Sequence, residues 1–185
     1  MRIIFLFCIG LLLLGCGEVA YQPEVIFEIG DEAPVFQDID WLEGKTENLE
    51  SLKPEKEFNL DDLKGQVVLL NFWSYDCGFC REVVGWLNEW DDQYRDQGLE
   101  IIGIHTPDFA YERKRKNVER LVKELEIKYL VGLDNKKTTW KAYHNKYRPA
   151  TYLIDREGKL QFLRYGTGYR EETEAEIRRL LEITE

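Results

Sequence analysis

A β-branched and aromatic run, Val67–Trp73, leads within four residues to two cysteines separated by two others, Cys77 and Cys80. The run is short and almost wholly apolar, which predicts a buried strand. Apolar residues then recur at helical period from Arg81 to Gln97, and Gly98 stands where a C′ residue would end a helix. The cysteine pair is therefore predicted at a strand-to-helix junction, and the rest of the chain has to fold around that junction.

The position of the pair has chemical content. A helix N-terminus offers unpaired N–H groups and a partial positive charge that favour thiolate over thiol. Cys77 is therefore the predicted nucleophile, and Cys80, one turn further on, is placed to attack a mixed disulfide on Cys77 and release the substrate. A structural disulfide is the alternative, although so small a loop should contribute only about 2 kcal/mol. A CxxC pair beside a βαβ pattern favours a thioredoxin-like redox site.

The first residues predict an exported lipoprotein. Arg2 precedes an apolar run from Ile3 to Leu14 that is short for a membrane span. The run ends in Leu13-Leu14-Gly15-Cys16, which resembles the bacterial lipobox, where the cysteine is lipidated and becomes the first mature residue. We therefore expect a signal peptide over residues 1–15 and lipidation of Cys16; an uncleaved anchor helix is the alternative. Residues 16–29 would then be a tether, and residues 30–185 the folded domain.

No metal or other cofactor is expected. Cys8 would leave with the signal peptide and Cys16 would be acylated, so the mature domain keeps only the CxxC pair. The two histidines, His105 and His144, are far apart in sequence and lack metal-ligand spacing. Covalent haem needs a histidine directly after the second cysteine, and Arg81 stands there instead.

The charge of the chain limits its partners. The net charge of -10 argues against nucleic acid, because an acidic surface gains nothing from counterion release on phosphate. Arg113–Lys116 is a basic run that could recognise an acidic partner, but a solvated face is the simpler interpretation in so acidic a chain. We expect a monomer.

The remaining pattern predicts an α/β domain. An N-terminal strand or hairpin and a surface loop are expected up to Glu57, then a short strand at Phe58–Leu60. Further strands are predicted at residues 99–105, 129–133, 151–155 and 160–165, the last two as a hairpin, and helices around residues 118–125, 138–143 and 174–181. This order predicts a mixed β-sheet flanked by helices on both faces, with an N-terminal β extension.

The chain from Gly30 onward resembles the thioredoxin fold in its TlpA/ResA-like branch, and in particular the thioredoxin-like domain of DipZ-type proteins. The motifs that carry this resemblance are dispersed along the chain in the same order: Gly30-Asp31-Glu32-Ala33-Pro34, Leu63–Trp73, Cys77-Gly78-Phe79-Cys80, Gly103-Ile104-His105-Thr106-Pro107 and Arg148–Asp155.

The resemblance implies a substrate site opposite the cysteines. In this family the proline matching Pro149 follows a cis peptide bond, faces the cysteine pair, and exposes backbone that pairs with an extended substrate chain. Arg148, on the other side of that bond, is therefore also expected at the substrate site. Phe79, between the cysteines, is a candidate apolar contact for protein substrates.

Two features depart from thioredoxin, Asn71 and the pair Gly78-Phe79. Asn71 replaces a buried aspartate and cannot take a proton from Cys80. Glu82 is the first candidate for that proton transfer, against a simpler role as a surface acid that offsets the helix dipole. His105 ends a strand near the site, but a structural role is the simpler interpretation. The pair Gly78-Phe79 lacks the usual proline before the second cysteine, so the sequence does not give the redox potential.

The predicted function is that of a thiol-disulfide oxidoreductase, lipid-anchored outside the cytoplasmic membrane. It would reduce disulfides of exported proteins and receive electrons from an unidentified membrane donor. One rival is a peroxiredoxin-type peroxidase, suggested by Ala33-Pro34-Val35-Phe36 and by Ser74 three residues before Cys77. The other is a surface binding lipoprotein in which the fold is only a scaffold.

Overall fold

The computed structural model describes residues 27–42 and 58–183. The predicted signal peptide, Cys16, most of the predicted tether and most of the predicted surface loop before Phe58 lie outside these residues. No helix among the described residues has the length and apolar character needed to cross a bilayer.

Six strands and four α-helices make up the described part of the chain. In order they are β1 (Asp40–Trp41), β2 (Val67–Trp73), α1 (Gly78–Tyr94), β3 (Leu99–His105), α2 (Arg115–Glu124), β4 (Leu130–Leu133), α3 (Thr138–Ala142), β5 (Ala150–Ile154), β6 (Leu160–Tyr165) and α4 (Arg170–Leu180). Two 3-10 helices, Leu60–Leu63 and Arg95–Gln97, lie before β2 and after α1. Gly98 ends the second one at a φ of 98°, a left-handed conformation that glycine adopts without steric cost.

The strands form one mixed sheet in the order β1-β4-β3-β2-β5-β6. Strand β2 lies in the interior of the sheet, where it pairs in parallel with β3 and antiparallel with β5. Every residue of β2 is buried, as the apolar run predicts. The fold is therefore the expected thioredoxin-like α/β fold, with the strand that precedes the cysteine pair at its centre.

Alternate residues of β2 enter two different cores. Val67, Leu69 and Trp73 pack with Cys80 and residues from α1, α2 and α4. Val68, Leu70 and Phe72 face the other side, where residues from the 3-10 helix at Leu60–Leu63, the N-terminal segment and the region around α3 cover the sheet. Period-two alternation on one strand thus places helices on both faces of the sheet.

The N-terminal β extension is short, and within residues 27–42 it consists of one bridge and one strand, not a hairpin. Glu32 bridges to Lys159, at the start of β6 on one edge of the sheet. Strand β1 pairs with β4 at the opposite edge. The segment between them crosses one face of the sheet, where Phe36 is buried.

The strand predicted at Phe58–Leu60 is wrong. The Asn59 side chain instead accepts hydrogen bonds from the N–H groups of Leu60 at 2.8 Å and Phe36 at 3.1 Å. Asn59 is the N-cap of a 3-10 helix, and the Asp62 carboxylate accepts the Asn59 N–H in return. Short polar side chains of this kind satisfy nearby backbone groups locally and so compete with a strand ladder.

Candidate active site

The cysteine pair lies where β2 passes into α1. Cys77 is the N-cap residue of α1, and its Sγ accepts a hydrogen bond from the Cys80 N–H at 3.2 Å. The two cysteines form a disulfide bond. Cys80 is fully buried against the core that lies under α1, whereas Cys77 is only partly buried. The more accessible sulfur is therefore the one that stands at the helix N-terminus.

The environment of Cys77 favours a thiolate once the bond is reduced. The first turn of α1 contains no acidic side chain, so nothing within that turn offsets its partial positive charge. The Cys80 N–H points at the Cys77 sulfur, which supplies a hydrogen bond to a negative charge there. These features suit Cys77 as the attacking sulfur and Cys80 as the resolving one, an assignment that stays a prediction.

Pro149 lies at the edge of the sheet from which the cysteine loop emerges. The Arg148–Pro149 peptide bond is cis, as the resemblance implies. Strand β5 places Ala150 opposite Phe72 of antiparallel β2, so Pro149 comes beside the carboxyl end of β2. Pro149 is buried, and its predicted contact with substrate stays a prediction.

The Arg148 side chain is held by the protein itself. Its guanidinium donates to the Thr106 carbonyl at 2.6 Å and to Asp108 Oδ1 at 2.9 Å, and it lies 4.8 Å from the ring centre of Trp140. The side chain is only 14% exposed. It therefore joins the cis-proline loop to the loop after β3, and any substrate contact of Arg148 is expected from its backbone.

Aromatic side chains lie next to the cysteines in the chain and in the loop after β3. Phe79, between the cysteines, is 69% exposed, which suits an apolar contact with a protein substrate. Phe109 and Tyr111, in the loop after β3, are also exposed and stack in parallel at 5.8 Å. Tyr75, two residues before Cys77, packs edge-on against Tyr111 at 6.0 Å.

The two candidates for proton transfer occupy different environments. Asn71 is fully buried, and its Nδ2 donates to the Ala150 carbonyl and to Thr151 Oγ1 at 3.3 and 3.2 Å. Glu82 is exposed on α1. No hydrogen bond or ion pair links Glu82 to the other described residues, and its role in proton transfer stays a prediction.

His105 is buried at the end of β3, next to the site. Its ring packs edge-on against Trp73 at 5.2 Å, and neither ring nitrogen has a partner in the described part of the chain. Burial is the main reason that the pKa of His105 is lowered to about 4, although the charge of Glu112 acts in the opposite direction. His105 is therefore neutral at pH 7.

Glu112 is a residue of the site that the sequence pattern did not reveal. It is only 1% exposed, and its carboxylate accepts the N–H groups of Asp76, Asp108 and Phe109. Its position before a basic run makes it look like one more surface charge. The sequence does place Glu112 in the loop directly after β3. The carboxyl ends of the neighbouring parallel strands β2 and β3 meet at the edge of the sheet where Cys77 lies, so this position could have indicated that Glu112 belongs to the site.

A thioredoxin-like fold with a CxxC pair at the N-terminus of α1, beside a cis-proline loop, defines a thiol-disulfide oxidoreductase. Comparison with known proteins agrees. A profile of the AhpC/TSA family matches residues 29–163, and the chain belongs to this family.

Three similar proteins carry related names. ResA of Bacillus thuringiensis subsp. konkukian, a thiol-disulfide oxidoreductase, is 32% identical over 162 residues, which cover 84% of each chain. DipZ of Mycobacterium bovis is 40% identical over 126 residues, but these are 68% of this chain and only 18% of DipZ. A crystal structure assigned as the thiol:disulfide interchange protein DsbE of Chlorobium tepidum superposes with a TM-score of 0.68 at 28% identity, covering 83% of this chain and 98% of the other. The chain thus has the fold and the CxxC pair of thiol-disulfide oxidoreductases such as ResA.

Proposed function

We propose that this oxidoreductase reduces disulfides of exported proteins while a lipid on Cys16 anchors it outside the cytoplasmic membrane. The observation that carries the redox part is the unequal exposure of the pair: Cys77 is accessible at a helix N-terminus, and Cys80 is buried behind it. The anchor is inferred from the lipobox-like Leu13-Leu14-Gly15-Cys16. The names of ResA and DsbE support thiol-disulfide exchange as the chemistry.

The proposed reaction transfers two electrons from the pair to a substrate. The Cys77 thiolate attacks one sulfur of the substrate disulfide, which forms a mixed disulfide and releases the other sulfur as a thiolate that takes a proton. The Cys80 sulfur, after losing its proton, attacks Cys77 Sγ and releases the second substrate thiol. The protein is left with the Cys77–Cys80 disulfide, which an unidentified membrane electron donor would reduce again.

The substrate is proposed to bind as an extended chain. The backbone on either side of the Arg148–Pro149 bond would pair with residues next to the substrate cysteine, as in other cases of strand addition. Phe79 would contact an apolar side chain of the same segment. Such binding uses backbone groups and so accepts many sequences, which suits an enzyme that acts on several proteins.

Reduction of insulin by dithiothreitol tests the activity. We expect the wild-type domain to accelerate precipitation of the insulin B chain and the Cys77→Ser variant to give only the uncatalysed rate. The reduction potential of the pair gives the direction: a value near the roughly -270 mV of thioredoxin supports a reductase, and a value near the roughly -120 mV of DsbA would make the protein an oxidant.

The two rivals differ in measurable ways. A peroxiredoxin-type peroxidase would consume hydrogen peroxide in a Cys77-dependent reaction at a rate that exceeds its insulin reduction. A binding scaffold would show slow alkylation of Cys77 with the pKa of an ordinary thiol, about 8.5. Either result would replace the proposal.

A further inference from the structure

We propose that Glu112 is a positioning residue for disulfide exchange, because its buried carboxylate fixes the segment that directly precedes Cys77. This inference rests on the proposed function, in which Cys77 is the attacking sulfur. It gives a role to a buried acid that lies at the active edge of the sheet but does not belong to the cysteine pair, to the cis-proline loop or to the helix α1.

The Glu112 carboxylate joins two loops. Oε1 accepts the Asp76 N–H at 3.1 Å, and Oε2 accepts the N–H groups of Asp108 and Phe109 at 2.6 and 2.9 Å. The last two bonds are local and close the loop after β3. The bond to Asp76 spans 36 residues of sequence and ties that loop to the β2–α1 connection.

Burying a carboxylate in order to close a surface loop costs free energy. Glu112 is 1% exposed, and within the described ranges no cation forms an ion pair with it. Burial of an unpaired charge is tolerated only where hydrogen bonds replace its hydration. The three backbone N–H groups supply these bonds. The buried position of the carboxylate therefore depends on both loops being in their observed positions.

The Asp76 bond acts on Cys77 because the backbone hydrogen bond within this turn is weak. The Cys77 N–H reaches the Ser74 carbonyl at 3.4 Å, which exceeds the usual 2.7–3.2 Å of an N–H···O bond. The shorter bond from Asp76 to Glu112 therefore holds the turn. It keeps Cys77 in its N-cap position, where its sulfur receives the Cys80 N–H and lies at the positive end of α1.

The variant Glu112→Gln separates the bond to Asp76 from the two local bonds of the same carboxylate. An amide has one acceptor oxygen, and placing it at the Oε2 position keeps both local bonds, to Asp108 and Phe109. The NH₂ group then faces the Asp76 N–H, so two donors meet and that bond is lost. The variant should thus free the segment before Cys77 while the loop after β3 stays closed.

Asp76→Asn is the matched control. It changes the net charge by the same amount beside Cys77, but the Asp76 side chain is exposed and the backbone N–H that Glu112 accepts remains. A role of Glu112 through its charge predicts a lower Cys77 pKa in both variants, because removal of a nearby negative charge favours the thiolate. A role through position predicts the opposite in Glu112→Gln.

The experiment measures amide exchange, alkylation and turnover on the reduced proteins. In the wild type we expect the Asp76 amide to exchange more slowly than that of Tyr75; equal rates would overturn the proposal without any variant. In Glu112→Gln we expect this protection to be lost, the Cys77 pKa from iodoacetamide alkylation to rise, and insulin reduction at pH 7 to slow about tenfold, less than the roughly hundredfold that larger misplacement costs. Asp76→Asn should keep its amide protection and at least wild-type turnover.

Other outcomes separate this proposal from the proposed function. If Glu112→Gln keeps wild-type turnover, or if its Cys77 pKa falls as in Asp76→Asn, Glu112 does not position the cysteine. If the wild type fails to reduce insulin, the proposed function fails. The amide and alkylation measurements then still decide whether Glu112 fixes the segment before Cys77.

Discussion

Cys77 and Cys80 are three residues apart, yet their surroundings give them different chemistry. The Cys77 sulfur is accessible and receives a backbone N–H at a helix N-terminus, so negative charge is favoured there. Cys80 faces the apolar core with Val83 and Leu87, where a charged sulfur is disfavoured and partner proteins cannot reach. One helical turn therefore separates an attacking position from a resolving one.

Removal of the resolving sulfur should trap substrates. We expect the Cys80→Ser variant to accumulate mixed disulfides with thiol proteins, and its turnover to fall by roughly a hundredfold or more, because an intramolecular thiol attacks at an effective concentration far above that of any added thiol. Non-reducing gels with mass spectrometry would show the complexes. The Cys77→Ser variant should form none, and trapping by that variant alone would reverse the two roles.

At the scale of whole elements, sequence predicted what depends on local periodicity. Strand β3 has the expected bounds, Leu99–His105, because its apolar residues and the flanking Gly98 define both ends. The helix α4 begins at Arg170, four residues before the expected start, since its first turn is polar and carries no periodic signal. Glu112 was missed because its environment depends on two loops that only the folded sheet brings together.

Strand β3 also carries two buried groups whose pKa values are shifted in opposite directions. His105, at its end, has a pKa lowered to about 4, mainly by burial. The folded state favours the neutral form of His105. The contribution of His105 to the free energy of unfolding is therefore fully present above about pH 6.5 and is lost as the pH falls towards 4. Glu100, at the other end, has a pKa raised to about 7, also mainly by burial, with Arg95 opposing. The folded state favours the protonated form of Glu100. The contribution of Glu100 to the free energy of unfolding is therefore fully present below about pH 4.5 and is lost as the pH rises towards 7.

These trends nearly cancel in the wild type and should appear in single variants. A shift of about 2.5 pH units corresponds to about 3 kcal/mol for either group. In Glu100→Gln we therefore expect the free energy of unfolding to increase from pH 4.5 to 6.5, and in His105→Leu to decrease over the same range, as measured by urea denaturation. Parallel pH profiles for the two variants would contradict this prediction.

At the scale of the whole molecule, the net charge of the chain bears on how the protein could associate with a membrane. The net charge of -10 on the full chain disfavours adsorption to anionic lipid, so the chain as a whole has no electrostatic reason to stay at a membrane. Membrane association, if the protein is anchored as proposed, must then come from the N-terminal residues. The exposed aromatic residues next to the cysteines and in the loop after β3 would remain free for protein substrates.

The anchor can be tested with two cysteine variants of the full chain. Each buried CH₂ of an acyl chain contributes about 0.8 kcal/mol, so two or more chains on Cys16 should make dissociation rare. We expect Cys16→Ala to leave the membrane fraction, as measured by sedimentation after an alkaline wash. Cys8→Ala is the matched control, because Cys8 lies within the predicted signal peptide and its loss should leave the mature protein in place. If Cys16→Ala still sediments with the membrane after that wash, an uncleaved anchor helix replaces the lipoprotein assignment.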